Sequence, residues 1–379
     1  MRIVFFSNFL NHHQALIADE LYNMTDGKYV FVATERIPDS FLKNGYPQFN
    51  REYLLKAYEN IKGWDKATEL ARNADVAIFG ASSFPFQKER VKEGKLSFEV
   101  SERWFKKGWI NIFSPRLLKN MWYYHTLFRK KPLYKLCSSA YAAGDQYRLH
   151  SFKDKCYKWG YFTKVDEWDI EEHLRQQKDD VVRIMWCARF IDWKHPELPI
   201  QLAQALKANG YRFSINMYGS GKELESTKRL CTQLGVEDVV NFVGNKPNAE
   251  ILQDMRLHDI FIFTSDKNEG WGAVLNEAMS NGCTVVASDA IGSVPFLVKD
   301  GVNGYTFKSK NLESLYDKVI KFIESPNLRK TMAIQAYHDM INIWSPKVAA
   351  KNLLQLIDDL QHGRDTSILE GPCSKALPL

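Results

Sequence analysis

The stretch DIFIFTSDKNEGWGAVLNEAMSNGCTVVASDAIGSVPFLVKDGVNGYTF, Asp259 to Phe307, decides how the chain is read. It opens with an unbroken apolar run that ends at Thr264 and Ser265, as a strand buried on both faces would. A loop with Glu269, Gly270, Trp271 and Gly272 follows, and a helical window near 271–281 then carries Glu277. A strand that passes through a glycine-containing turn into a helix start makes an anion site, because free backbone amides and the positive end of the helix dipole converge there. A phosphate suits such a site without any metal.

The same alternation extends outward in both directions. Strands are expected at Val182 to Ala188, Phe213 to Tyr218, Val239 to Val243, Ile260 to Thr264 and Thr284 to Ala287, with helical windows near 196–209, 221–234 and 247–257. In the first half, strands are expected at Ile3 to Ser7, Tyr29 to Thr34, Val76 to Gly80 and Leu96 to Val100. A helix fits 13–23, and amphipathic segments precede Val76 and follow Pro115. Short apolar runs alternating with helical windows predict parallel sheets covered by helices on both faces. The pattern occurs twice, so the expected fold class is α/β, with two Rossmann-like doubly wound domains facing a central cleft. The charged segment Asp166 to Asp180 has no strand signal and places the linker near 163–180. The expected domains are 1–165 and 166–345, with a helix and tail over 346–379 that cross back to the first domain.

At 379 residues, 45% hydrophobic and 25% charged, the chain can bury a substantial core, and disordered, collagen-like and disulfide-scaffold classes are excluded. The six cysteines have neither C-x-x-C nor zinc-type spacing and read as reduced thiols. The apolar run in Met1 to Phe6 is too short for a signal-peptide core, and no run approaches the ~18 residues of a membrane span. A cytoplasmic protein is expected.

Charge is uneven. Residues 1–165 hold 27 basic against 16 acidic side chains, a net of +11, whereas the remainder is at −5. Between 101 and 135, nine basic residues and the single acid Glu102 are interleaved with Trp104, Phe105, Trp109, Trp122, Tyr123, Tyr124 and Phe128. Such a belt suits an anionic membrane surface, or else a solvated basic face whose aromatics point into the core. Nucleic acid is not an expected partner, since no recognised module is present and the second half is acidic.

Glu269 and Glu277 do not read as a glycosidase pair. Eight helical residues would separate them by about 12 Å, against ~5 Å for retaining and up to ~9.5 Å for inverting enzymes. The spacing suits an extended ligand with a sugar hydroxyl at one end and a ribose diol at the other. Upstream, CARFIDWKHPEL (Cys187 to Leu198) sets Arg189 just after a strand and Lys194 five residues later. Two fixed cations there match the charge that develops on a departing diphosphate.

These residues, together with YGSGKELE (Tyr218 to Glu225) and NFVGNKPNAEI (Asn241 to Ile251), carry a resemblance. The second half resembles the nucleotide-sugar half of glycosyltransferase family 4, retaining enzymes of GT-B fold, of the bacterial surface-polysaccharide type. The resemblance covers about 181–325, and the first half follows only in topology. It implies that Arg189 and Lys194 bind the donor diphosphate, that Glu269 contacts the transferred sugar and that Glu277 holds the ribose. The backbone of Gly270, Trp271, Gly272, Ala273 and Val274 would face sugar and phosphate, with Asn245, Lys246 and Gly219 completing the donor site. No cofactor is implied beyond a nucleoside-diphosphate sugar of UDP or GDP type as co-substrate. One departure stands out: after the first strand the chain reads SNFLNHHQ (Ser7 to Gln14) where many relatives carry a glycine-rich loop. His12, His13, Glu102 and Arg103 are the expected acceptor contacts.

The expectation is a metal-independent hexosyltransferase. It would act with retention on a hydroxyl of a lipid-linked saccharide in cell-surface polysaccharide synthesis, at the inner face of the cytoplasmic membrane. The rival readings are a GT-B-shaped sugar-nucleotide 2-epimerase and a non-catalytic nucleotide-binding protein.

Overall fold

The computed structural model describes residues 1–39, 47–106, 108, 110, 113–177 and 180–379. The chain divides into two compact units, one of Met1–Lys164 with Ile343–Leu379 and the other of Val165–Asn342.

The first unit is built on seven parallel strands: β1 (Ile3–Ser7), β2 (Tyr29–Ala33), β3 (Leu54–Lys56), β4 (Val76–Phe79), β5 (Ser97–Ser101), β6 (Leu133–Cys137) and β7 (Cys156–Lys158), in the order β3-β2-β1-β4-β5-β6-β7. The central strands β1 and β4 are buried along their whole length, as strands covered on both faces must be. The helix His12–Met24 follows β1 and is capped by Asn11, whose side chain accepts from the amides of His13 at 3.0 Å and Gln14 at 3.1 Å. Strands β3, β6 and β7 were not expected from sequence. Two are three residues long, and β6 is broken in pattern by Lys135, which the fold nevertheless buries completely.

The second unit holds six parallel strands: β8 (Val182–Cys187), β9 (Phe213–Tyr218), β10 (Val240–Gly244), β11 (Ile260–Phe263), β12 (Thr284–Ser288) and β13 (Tyr305–Phe307), in the order β10-β9-β8-β11-β12-β13. Most of the segment expected to be a linker belongs to this unit. The helix Ile170–Gln176, capped by Asp169, buries Ile170 and Leu174 against Ala333 and Tyr337, so apolar residues spaced four apart anchor the charged stretch. Beyond the helix Pro346–Gln361, the terminal segment lies along β7, the edge of the first sheet. The Cys373 amide donates to the Lys158 carbonyl at 2.7 Å, and the Lys158 amide donates to the Ser374 carbonyl at 2.8 Å. This covers backbone groups that a bare edge would offer to another chain.

In both sheets the chain reverses its direction of winding between two central strands, β1 and β4 in one unit and β8 and β11 in the other. Ligands of open α/β sheets bind beyond the carboxyl ends of those strands.

Arg90 fixes the opposite, amino end of the first sheet. It is fully buried, and its guanidinium donates to the carbonyls of Ala71, Ala74, Asp75 and Leu96 at 2.8–2.9 Å and to Ser97 Oγ at 3.1 Å. It ties the end of the helix Ile61–Asn73 to the starts of β4 and β5. Arg90→Met leaves those carbonyls without a donor. It should lower the unfolding free energy of the first unit by roughly 3 kcal/mol in urea titration, with the transition of the second unit unmoved.

Candidate active site

In the second unit the loop after β8 is latched to the end of β11. Thr264 Oγ1 donates to the Lys194 carbonyl at 2.6 Å and accepts from Trp186 Nε1 at 2.8 Å, and the Asp266 amide donates to the Trp193 carbonyl at 3.0 Å. These bonds set the Lys194 ammonium against Glu269, a pair in which the two residues are only 8% and 9% exposed. Burial pushes the Lys194 pKa down, and the Glu269 charge opposes that shift. Ser265 Oγ donates to Glu269 at 3.0 Å; this bond and the ion pair both fall on Oε2. Ser265 was not foreseen, although its place four residues before Glu269 at a strand end was a readable sign.

Arg189 is exposed beside this pair, close enough that its charge further lowers the Lys194 pKa. Glu277 lies in the first turn of the helix Val274–Ser280, and its only hydrogen-bond donor among the described residues is the neutral Asn248 amide at 3.1 Å. Burial pushes its carboxyl up to about 7. The Cys187 thiol is near enough to feel both charges: burial and Glu277 raise it to about 12, against the opposing charge of Lys194. Arg189, Lys194, Glu269 and Glu277, chosen from sequence, thus gather at the carboxyl ends of β8 and β11.

The loop 264–273 is irregular, so Glu269 and Glu277 do not share a helix. Gly272 has φ +83°, and a Cβ there would meet the Phe263 ring at 2.5 Å and Glu269 Cγ at 3.2 Å. Only glycine lets the backbone lie this low over Glu269. The helix start at Ala273 and Val274 has no side-chain cap, as an anion-accepting end requires. Gly270 is buried just before it.

Three residues expected at the donor site make contacts within the protein. The Trp271 indole is 1% exposed and donates from Nε1 to Asn276 at 2.9 Å, so the side chain props from beneath the loop whose backbone was expected to face the donor. Gly219 has φ +122°, and a Cβ would lie 2.0 Å from the Ala188 carbonyl oxygen; its smallness seats the loop that carries Arg189. Lys246 is engaged by Asp254 at 2.7 Å. Asn245 remains exposed, donating to Ser220 Oγ at 2.8 Å.

The first unit has its own cavity, about 760 Å³, beyond the carboxyl ends of β1, β4 and β5. His13, Glu102 and Arg103 line it, as do Ser83 and Phe84; His12 does not, its ring lying 3.8 Å from that of His13. Burial lowers the pKa of both histidines and brings His13 to about 3, so its ring is neutral at ordinary pH. Glu102 accepts from Tyr161 OH at 2.7 Å and pairs with Lys106, and Arg103 pairs with the buried Asp145 at 3.2 Å. Trp109, part of the aromatic belt read from sequence, lies outside the described residues.

Residues 167–339 match the family described as Glycosyl transferases group 1. An uncharacterized glycosyltransferase of Methanocaldococcus jannaschii is 24% identical over 201 residues, covering 52% of this chain and 50% of that protein. The amylovoran biosynthesis glycosyltransferase AmsK of Erwinia amylovora is 25% identical over 192 residues, 49% of this chain and 47% of that one. The chain therefore spans about half the length of these curated relatives. Among solved structures, Anabaena HepE in complex with UDP superposes with a TM-score of 0.66 at 17% identity, covering 94% of this chain and all of that one. Sucrose-phosphate synthase from Thermosynechococcus elongatus gives 0.68 at 13% identity, over 96% of this chain and all of its own. At such identity the likeness is one of fold. The two parallel-sheet units have the Rossmann-like architecture of the GT-B class, and the sequence of the second unit is similar to that of group 1 glycosyl transferases.

Proposed function

We propose that the protein is a retaining glycosyltransferase that moves a hexosyl unit from a nucleoside-diphosphate sugar, of UDP or GDP type, to a saccharide hydroxyl. The observation that carries this reading is the buried Lys194–Glu269 pair flanked by exposed Arg189 and by Glu277 at one sheet edge. Arg189 and Lys194 stabilise the diphosphate as the glycosidic bond breaks and negative charge grows on the leaving oxygen. That oxygen, on the face from which the hydroxyl attacks, takes the hydroxyl proton, so neither a protein base nor a metal is required. Glu269 holds the transferred sugar, and Glu277 accepts from the ribose diol. The similarity of the second unit to glycosyl transferases and the UDP in the HepE structure support this assignment. A sugar-nucleotide epimerase would use the same donor groups and release product without an acceptor.

The acceptor side of the proposal is a lipid-linked saccharide met at the cytoplasmic face of the membrane. Among the described residues no helix is long and apolar enough to cross a membrane. The helix Pro115–Trp122 instead lines the first cavity with Leu117 and Asn120 and exposes Leu118, Lys119 and Trp122, with Phe113 just before it at 77% exposure. Apolar side chains beside a lysine fit an anionic bilayer surface. The protein should float with anionic vesicles and stay behind with zwitterionic ones, and Leu118→Asp with Trp122→Asp should abolish flotation; equal recovery with both vesicle types removes the membrane from the proposal.

UDP or GDP at 100 times its dissociation constant should stabilise the chain by about 2.7 kcal/mol in thermal denaturation. Glu277→Ala should erase that gain. No shift with either nucleotide, or an undiminished shift in the variant, contradicts the donor site.

Glu277 also gives the site a pH signature. A carboxyl whose pKa is raised in the folded state binds its proton more tightly folded than unfolded. Its effect on stability therefore worsens as pH climbs from the ordinary carboxylate range through about 7. Glu277→Gln should raise the melting temperature near pH ~8 and leave it unchanged near pH ~5. The same difference at both values would mean that the charge of Glu277 is not what the fold resists.

A further inference from the structure

Among the described residues of the second unit, His195 at φ +52° and Lys310 at φ +64° are the two outside glycine that adopt the left-handed backbone. Both side chains reach one carboxylate. His195 Nε2 lies 3.5 Å and Lys310 Nζ 3.1 Å from Oδ2 of Asp266, a residue 6% exposed in the loop after β11. Oδ1 of the same carboxylate accepts from the Asn268 amide at 2.9 Å and from Asn268 Nδ2 at 2.8 Å. Residues with side chains are uncommon in the left-handed region and persist where their surroundings hold them, so two that meet at one buried acid mark a built contact.

His195 ends the single 3-10 turn Asp192–Lys194 and precedes the helix Glu197–Ala208. Its other ring nitrogen, Nδ1, lies 2.7 Å from Glu197 Oε1. A neutral imidazole has one N–H and can donate to only one of the two carboxylates, whereas the imidazolium donates to both. Among the described residues, the charged groups acting on the ring are Glu197 from that helix, Asp266 from the loop after β11 and Lys310 from the loop after β13. The bond to Glu197 raises the pKa of the ring, against burial and the Lys310 charge. The carbonyls of Lys194 and His195 also accept from Thr264 Oγ1, at 2.6 and 3.3 Å. Ring and backbone of His195 thus bind the end of β11 together, and the turn they secure carries Lys194.

We propose that His195 is a positioning residue: its imidazolium, held between Glu197 and Asp266, fixes the turn that sets Lys194 against Glu269. The inference rests on the glycosyltransferase reading only in naming the diphosphate as what Lys194 is fixed to meet. The folded protein binds the ring proton more tightly than the unfolded chain, so the clamp is complete below the ordinary imidazole range and is lost as pH rises through the raised value.

The test compares the full chain with His195→Asn and His195→Gly, two uncharged replacements that accept the left-handed backbone, with melting temperatures measured alongside. Three quantities are read: the ring titration by proton NMR, with the His195 signal assigned by its loss in the variants; the rate at which an acylating reagent labels Lys194 without nucleotide, by mass spectrometry; and the affinity for UDP and GDP. The ring should titrate above the ordinary imidazole value, and Glu197→Gln should lower it. Lys194 should be labelled about tenfold faster in both variants than in the unaltered chain at pH ~6, and equally fast at pH ~9. Nucleotide affinity should follow the same ratio, from which the titration of Glu277 cancels because all three proteins share it. A ring that titrates at or below the ordinary value, or a labelling ratio that is the same at both pH values, would overturn the proposal; a merely structural histidine gives the latter. The expected labelling without any nucleotide binding would uphold the clamp and reject the donor reading. The expected labelling with nucleotide affinity unaltered in the variants would uphold the clamp and reject the diphosphate as what Lys194 meets.

Discussion

An ammonium and a carboxylate held against each other away from water, Lys194 and Glu269, organise the second unit's site. Burying either alone would be strongly unfavourable, so each requires the other and both require the hydrogen bonds around them. That is why the loop after β8 is tied to the end of β11 through Thr264, Trp186 and Asp266, and why Ser265 is turned toward the carboxylate. Buried ion pairs are seldom the cheapest way to stabilise a fold. Hydrophobic side chains of similar volume would hold β8 to β11 at least as well, and the charges make physical sense as groups kept dry for a charged ligand.

Glu277 extends the argument. A carboxylate whose hydrogen-bond donor among the described residues is a neutral amide, and which burial pushes up to about 7, is an unfavourable arrangement. Local conflicts of this kind tend to persist where function requires them. The glycines serve the same end by geometry. Gly272 lowers a backbone onto Glu269, and Gly219 lets two loops approach so that Arg189 is presented to solvent.

How much of this was readable depended on what each residue contacts. β1 was delimited correctly from sequence because a strand covered on both faces is apolar almost throughout, and β9 because its buried apolar residues alternate with Ser214 and Asn216. β6 was missed because Lys135, matched by Glu99 on the neighbouring strand, breaks the apolar pattern, and β3, β7 and β13 were missed because three residues carry no period. The charged cluster was legible because its members follow strand ends at fixed short offsets. Gln14 and Ser138, which line the cavity of the first unit, could not be picked out at all: they are 124 positions apart, and only the parallel pairing of the sheet brings the ends of β1 and β6 toward it.

The two units share a strand order and set differently charged side chains at the same place in it. Beyond β8 and β11 the wall keeps an exposed arginine and an unpaired carboxylate, charges suited to a ligand that is itself charged. Beyond β1 and β4 the ionisable side chains Glu99, Glu102 and Arg103 are each paired within the protein. A shared backbone topology cannot produce that difference, because it sets only where loops converge. It arises in the loops themselves, where SNFLNHHQ supplies amides and imidazoles and CARFIDWKHPEL supplies cations. Reading function from a doubly wound fold is therefore a matter of determining which loop charges the protein satisfies internally and which it leaves for a ligand.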